Sequence, residues 1–177
     1  MTELWICRHN GLSSEQERTQ ARKLLKAALV ERIPHCPDLL RFEYGKYGKP
    51  YLKNAALQFS LSYTHGAYII ALSDGEIGAD IELLRAAKPH VANRCFTDSE
   101  NRYLHQDARL FDRRFYKLWT QKEAYLKYTE QGFYQPLKNI DVLSQSICSI
   151  LYTLTDDDVI ISLCGRNIHP VSVYKVF

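Results

Sequence analysis

The chain has 177 residues, with 23 Lys plus Arg against 20 Asp plus Glu and a formal net charge of +3. Its 46% hydrophobic and 24% charged residues are an ordinary globular balance, which excludes collagen, coiled coil and disorder as whole-chain classes. So weak a positive bias also argues against a nucleic-acid partner, which would want a concentrated basic face, and leaves room for a small phosphate-bearing ligand. Residues 3–8 read as an opening strand. Ser13 or Ser14 then caps a helix, with Glu17 in capping-box position after Ser14. Ala21, Leu24, Leu25, Ala28 and Leu29 keep helical spacing to about Arg32, and Pro34 and Pro37 end the helix.

Residues 41–83 read as antiparallel strands. Phe42 and Tyr44 lead into a turn at 45–50, followed by strands at 57–63, 67–72 and 76–83, with a turn at Ser73-Asp74-Gly75. Thr97-Asp98-Ser99-Glu100 is a capping box that opens a helix near Asp98. A longer helix is predicted from about Arg109 to Tyr128, closed by Gly132 and Pro136. Strands at 139–143, 147–154, 158–164 and 171–176 complete the chain. This order predicts an α+β fold of two similar halves, residues 1–90 and 91–177, forming one two-lobed unit.

The five cysteines, Cys7, Cys36, Cys95, Cys148 and Cys164, contain no CxxC pair. A structural zinc site or a redox dithiol is therefore not expected. Reduced, mostly buried thiols in a cytoplasmic protein are. Glu3 stands where a signal peptide would want positive charge, and no apolar run nears the ~20 residues of a membrane span, so no membrane association is expected.

The first chemical signal is Ile77-Gly78-Ala79-Asp80-Ile81-Glu82-Leu83. Side chains alternate along a strand, so Asp80 and Glu82 share a face, with Cα atoms roughly 6.6 Å apart. At about 5 Å and an effective dielectric of 20 their charges would repel by about 3 kcal/mol. A Mg²⁺ ion, which prefers hard oxygen ligands, would relieve that. From these residues alone an exposed strand face that simply carries two acids is the favoured reading, and a partner acid elsewhere would change that. Proofreading-type exonucleases also place D-I-E on a strand, but they need a His followed five residues on by Asp, and none of the six His here satisfies that.

The second signal lies in Phe115–Lys127. On a helix Trp119, Glu123 and Lys127 stack on one face, and Lys122 sits beside them above Leu118. Charge next to a bulky apolar stripe calls for a partner or a use. A surface Glu123–Lys127 pair worth ~0.3–0.5 kcal/mol is one reading. With Asp80 and Glu82, a site for a metal-bound diphosphate is the other.

Five pieces stand in a definite order: Tyr47-Gly48-Lys49-Pro50, Phe59-Ser60-Leu61-Ser62-Tyr63-Thr64-His65-Gly66, Ile77–Glu82, Phe96-Thr97-Asp98-Ser99-Glu100, and Trp119-x-x-Lys122-Glu123-Ala124-x-x-x-Lys127. With them the chain resembles the 4'-phosphopantetheinyl transferases, in particular the single-chain type typified by the activator of surfactin synthetase. The resemblance implies transfer of the phosphopantetheine arm of coenzyme A to a serine hydroxyl of an apo acyl or peptidyl carrier protein, releasing adenosine 3',5'-bisphosphate. It implies two pseudo-symmetric α/β halves with the site between them, in a self-sufficient monomer. By the same resemblance Asp80, Glu82 and Glu123 hold Mg²⁺, with Mn²⁺ a substitute, and Glu123 accepts the serine proton. Lys122 and Lys127 contact the diphosphate, Lys127 taking part in catalysis. Lys49, Arg18, Ser62 and Tyr63 line the coenzyme A site.

Two departures accompany the resemblance. Tyr63 stands where the family's phosphate-binding His is expected, and a phenol supplies no positive charge near neutral pH. The segment before Arg18 is short beside that of larger members. These departures leave a non-catalytic coenzyme A- or carrier-binding homologue as the alternative. Asp156-Asp157-Asp158 reads as a solvated turn. Arg113, Arg114 and Lys117 form a small basic patch, read either as a solvated helix face or as a surface for an acidic carrier protein.

Overall fold

The computed structural model describes residues 1–33, 41–53, 55–130 and 136–176. Within them nine strands run β1 Thr2–Arg8, β2 Phe42–Tyr44, β3 Pro50–Leu52, β4 Gln58–Thr64, β5 Ala67–Ser73, β6 Gly78–Leu83, β7 Leu151–Asp156, β8 Val159–Cys164 and β9 Val171–Val176. Five α-helices run α1 Ser14–Arg32, α2 Pro89–Cys95, α3 Asp98–His105, α4 Phe111–Thr129 and α5 Gln145–Cys148. The expected α+β composition is thus present.

Two sheets form the body, one in the order β4-β5-β1-β9 and one in the order β6-β8-β7, with β2–β3 a separate hairpin. Leu4, Ile6, Ile69, Ile81, Ile161 and Leu163 pack between them. The opposite face of the first sheet is covered by α1 through Ala21, Leu25 and Leu29. The opposite face of the second is covered by α4 and its neighbours through Phe96, Leu104, Phe115, Leu118 and Leu126. Four layers result, helix on sheet on sheet on helix. This is why β5 and β8 are buried at every position, since a strand covered on both faces loses its polar alternation.

The expected halves, 1–90 and 91–177, each lend a strand to the other. Strand β6 pairs with β8, and β9 pairs in parallel with β1. Arg8 locks the exchange: its guanidinium donates to Asp158 Oδ1 at 2.6 Å and to the Asp156 carbonyl at 2.7 Å. The Asp156–Asp158 segment is a turn as expected, but its acids are engaged by Arg8 and Lys175.

Several local expectations shift. Ser13 is the α1 cap, and its capping box closes on Gln16, not on Glu17. The helix ends at Arg32; Pro34, Pro37, Cys36 and Gly132 lie outside the described residues. The Thr97–Glu100 capping box forms as read. Pro89 opens the unexpected short helix α2, in the first-turn position where its missing N–H costs nothing. Residues 139–143 are not a strand: Asp141 accepts from the Leu143 amide at 3.0 Å and turns the chain instead. Residues 147–150 continue that turn and α5, so β7 starts only at Leu151. Cys7 and Cys164 are buried, while Cys148 is exposed. No helix among the described residues is long and apolar enough to cross a membrane.

Gly78 sets how closely α4 lies on β6. A Cβ there would sit 2.0 Å from the Ala124 carbonyl oxygen and 2.5 Å from the Tyr128 amide nitrogen. Helix and strand therefore meet backbone to backbone, which only a residue without a side chain permits.

Candidate active site

The site assembles where α4 crosses β6. Ala79 and Ile81 point into the inter-sheet core. Gly78, Asp80 and Glu82 therefore face α4, as the strand period requires. Strand β4 stands beside β6, each an edge of its own sheet. Hydroxyls stitch these edges: the Ala79 amide donates to Ser60 Oγ at 3.0 Å, and the Leu83 amide to Thr64 Oγ1 at 3.2 Å. Between them Ser62 Oγ donates to Asp80 Oδ1 at 2.7 Å. Edge amides that would otherwise lack partners are thus satisfied by side chains. Ser60 and Thr64 were not expected in the site; the polar-at-every-second-residue run Ser60, Ser62, Thr64 is their sequence signal.

The Lys127 ammonium reaches the same spot, donating to Asp80 Oδ1 at 2.8 Å, Ser62 Oγ at 2.9 Å and the Ala79 carbonyl at 2.9 Å. Asp80 Oδ2 and Glu123 Oε1 are buried and lack a hydrogen-bond partner. Both side chains are more than nine-tenths buried. Burial, then the Asp80 charge, pushes the Glu123 carboxyl up to about 7, against the pull of Lys127. Burial and Asp80 also raise Glu82, while Arg85 and a hydrogen bond from Trp119 draw it down. As the side chains stand, no three such ligands among the described residues converge closely enough to hold a metal ion. The two orphaned oxygens fit a cation all the same, because a buried carboxylate oxygen without a donor is costly and a divalent ion would satisfy both.

Lys122 is a correction. It is fully buried and turned away from the carboxylates, with its three hydrogens given to Glu100 Oε2 at 2.7 Å, the Leu137 carbonyl at 2.8 Å and the Ile140 carbonyl. Glu100 in turn accepts from the amides of Thr97 and Val142. One residue of helix rotates a side chain by about 100°, which separates Lys122 from Glu123. The expected diphosphate contact is not open to it.

The remaining expected residues divide between two cavities. Lys49, Glu123 and Lys127 line one of about 550 Å³, floored by Phe59, Leu61 and Leu126. The Lys49 ammonium lies 3.4 Å from Glu130 and 3.7 Å from Glu76. Arg18 and Tyr63 line another of about 700 Å³, with Arg8, His9 and His65. Tyr63 thus faces α1 while its neighbour Ser62 faces Asp80. Burial raises the Tyr63 hydroxyl, with Arg22 and Arg18 opposing. His9 Nε2 donates to the Glu17 carboxylate at 2.8 Å.

The comparison with known proteins fits this geometry. The family model described as the 4'-phosphopantetheinyl transferase superfamily matches residues 76–171, a span holding Asp80, Glu82, Glu123 and Lys127. The transferase AcpT of Escherichia coli K12 is 30% identical over 156 residues, 76% of this chain and 77% of its own length. The Bacillus subtilis transferase Sfp is 30% identical over 139 residues, 77% of this chain and 62% of its own. The Aneurinibacillus migulanus transferase gsp is 25% identical over 130 residues, 73% of this chain. The chain spans 54% of the length of gsp. This chain belongs to the 4'-phosphopantetheinyl transferase superfamily, and its α+β architecture is consistent with that family.

Proposed function

We propose that this protein transfers the 4'-phosphopantetheine arm of coenzyme A to a serine hydroxyl of an apo acyl or peptidyl carrier protein. The observation that carries the reading is the pair of orphaned carboxylate oxygens, Asp80 Oδ2 and Glu123 Oε1, beside the Lys127 ammonium. Asp80, Glu82 and Glu123 would hold Mg²⁺ or Mn²⁺. Such an ion neutralises the diphosphate and makes its phosphorus more electrophilic.

Glu123 takes the proton from the carrier serine, directly or through a water, as a positioned carboxylate can. The serine oxygen forms a bond to the phosphorus that bears pantetheine. The bond from that phosphorus to the bridging oxygen breaks, and its electrons leave on adenosine 3',5'-bisphosphate. Lys127 supplies positive charge where the leaving oxygen becomes anionic. Lys49 in one cavity and Arg18 with Tyr63 in the other offer contacts for the nucleotide. Tyr63 faces away from the carboxylates, so its departure from the family pattern leaves Asp80, Glu82 and Glu123 intact, which favours catalysis over the non-catalytic alternative.

The test incubates purified protein with coenzyme A, Mg²⁺ and a panel of apo carrier proteins, and weighs each carrier by mass spectrometry. Gain of the phosphopantetheine mass is expected, lost on adding EDTA. Coenzyme A binding with no mass gain on fatty-acid, polyketide or nonribosomal-peptide carriers would leave the non-catalytic homologue.

A further inference from the structure

An ammonium group has three hydrogens to donate and no more. All three on Lys127 go to protein acceptors: Asp80 Oδ1, Ser62 Oγ and the Ala79 carbonyl. A phosphate oxygen can be met only if one of those acceptors is released. Two of the three are neutral groups of the β4 and β6 edges. The third, Asp80, is the charged one, and its remaining oxygen Oδ2 is buried with no donor. Glu123, four residues before Lys127 on α4, also presents a buried oxygen with no donor. Lys127 itself is about 30% exposed, so its head has somewhere to go.

A divalent cation on Asp80 and Glu123 would draw on the same carboxylate charge that holds Lys127, and would repel the ammonium. We propose that Lys127 is a displaceable counter-ion: it neutralises Asp80, a divalent cation competes with it there, and the displaced ammonium turns to the diphosphate. The inference rests on the reading that these carboxylates take a divalent cation. It makes cation binding and coenzyme A binding reinforce each other through one side chain. Such coupling is reciprocal, and typically amounts to a factor of about 5–150.

Mn²⁺ is the probe, its unbound fraction counted by electron paramagnetic resonance at pH 8.5 without coenzyme A. Lys127→Met should bind Mn²⁺ at least about fivefold more tightly than the wild-type chain, and Lys127→Arg, which keeps the charge, should stay near wild type. Thermal unfolding in EDTA checks the fold, and Lys127→Gln replaces the Met variant if that one does not fold. Equal or weaker Mn²⁺ binding by the folded neutral variant overturns the proposal. In a second measurement, calorimetry gives the coenzyme A affinity in EDTA and in Mn²⁺. The wild-type chain should gain at least about fivefold from Mn²⁺, and the neutral variant should lose most of that gain. An equal gain in both overturns the release of Lys127. Absence of coenzyme A binding throughout would sink the transferase reading while the Mn²⁺ comparison still judges Lys127. Mn²⁺ binding to neither chain overturns both.

Discussion

The Lys122 ammonium lies 2.7 Å from the Glu100 carboxylate, and neither side chain reaches solvent. The pair ties the start of α3 to the middle of α4, and through the Leu137, Ile140 and Val142 backbone to the segment after α4. Burial lowers the Lys122 ammonium, and Glu100 holds it up. Because every donor and acceptor is used, removing one partner leaves a buried charge alone. Lys122→Met or Glu100→Gln should each cost about 3–5 kcal/mol in urea unfolding, and the double variant should cost less than the sum. Additive losses would mean the two do not act as a pair.

Glu123 gives a pH dependence whose sign is fixed by its raised carboxyl. Its folded value of about 7 lies above the ordinary 4.5. The folded state therefore binds this proton more tightly than the unfolded state does. The resulting stability is present in full below about pH 4.5 and is lost as pH rises through 7, amounting to up to about 3 kcal/mol. In EDTA, the wild-type chain should lose stability against Glu123→Gln between pH 5 and 8, measured by chemical unfolding. Parallel curves for the two would contradict the burial of this charge.

Glu123→Gln should also abolish phosphopantetheine transfer, because an amide accepts no proton. The variant should unfold cooperatively, as the wild type does. Turnover within about twofold of wild type, against the 10²–10⁴ expected of a proton-transferring group, would remove Glu123 from its assigned role.

Gly78→Ala tests the contact that positions the site. The new methyl carbon would meet the Ala124 carbonyl at 2.0 Å, so α4 must lift from β6. A loss of about 2–3 kcal/mol in unfolding stability is expected, at the upper end of overpacking costs. Transfer activity should fall with it, because Glu123 and Lys127 move with the helix. A variant of unchanged stability and activity would show that α4 shifts without disturbing the carboxylates.

Tyr63→His should tighten coenzyme A binding, measured by calorimetry, with a larger gain at pH 6 than at pH 8 as the imidazole charges. No change, or weaker binding, would detach the Arg18 cavity from the nucleotide.

Much of the site was legible along the chain. The alternation Asp80–Glu82 and the four-residue step from Glu123 to Lys127 are local properties of a strand and a helix, and both faces came out as read. Lys122 was not. Within Lys122-Glu123, sequence adjacency suggested a common use, but the helix turns the two apart, and Glu100, the partner that absorbs the lysine, lies 22 residues earlier. The expected strand at 139–143 failed for a similar reason. Its apolar residues Ile140 and Val142 are buried in the cluster around α4 without pairing as a strand, and short apolar runs look alike in both settings.

By itself the sequence determined the types of the longer elements, their apolar faces and the identity of the acidic residues, because these follow from residue periodicity and capping within a few turns of chain. Tertiary structure alone decided which strands pair, that β6 and β9 cross between the expected halves, and that Asp80 meets Lys127 across 47 residues. Pairing depends on which buried faces fit together over long separations, and a period of two or 3.6 residues carries no record of that. The modest excess of three positive charges likewise says nothing of where the charges meet; the backbone contact at Gly78 does.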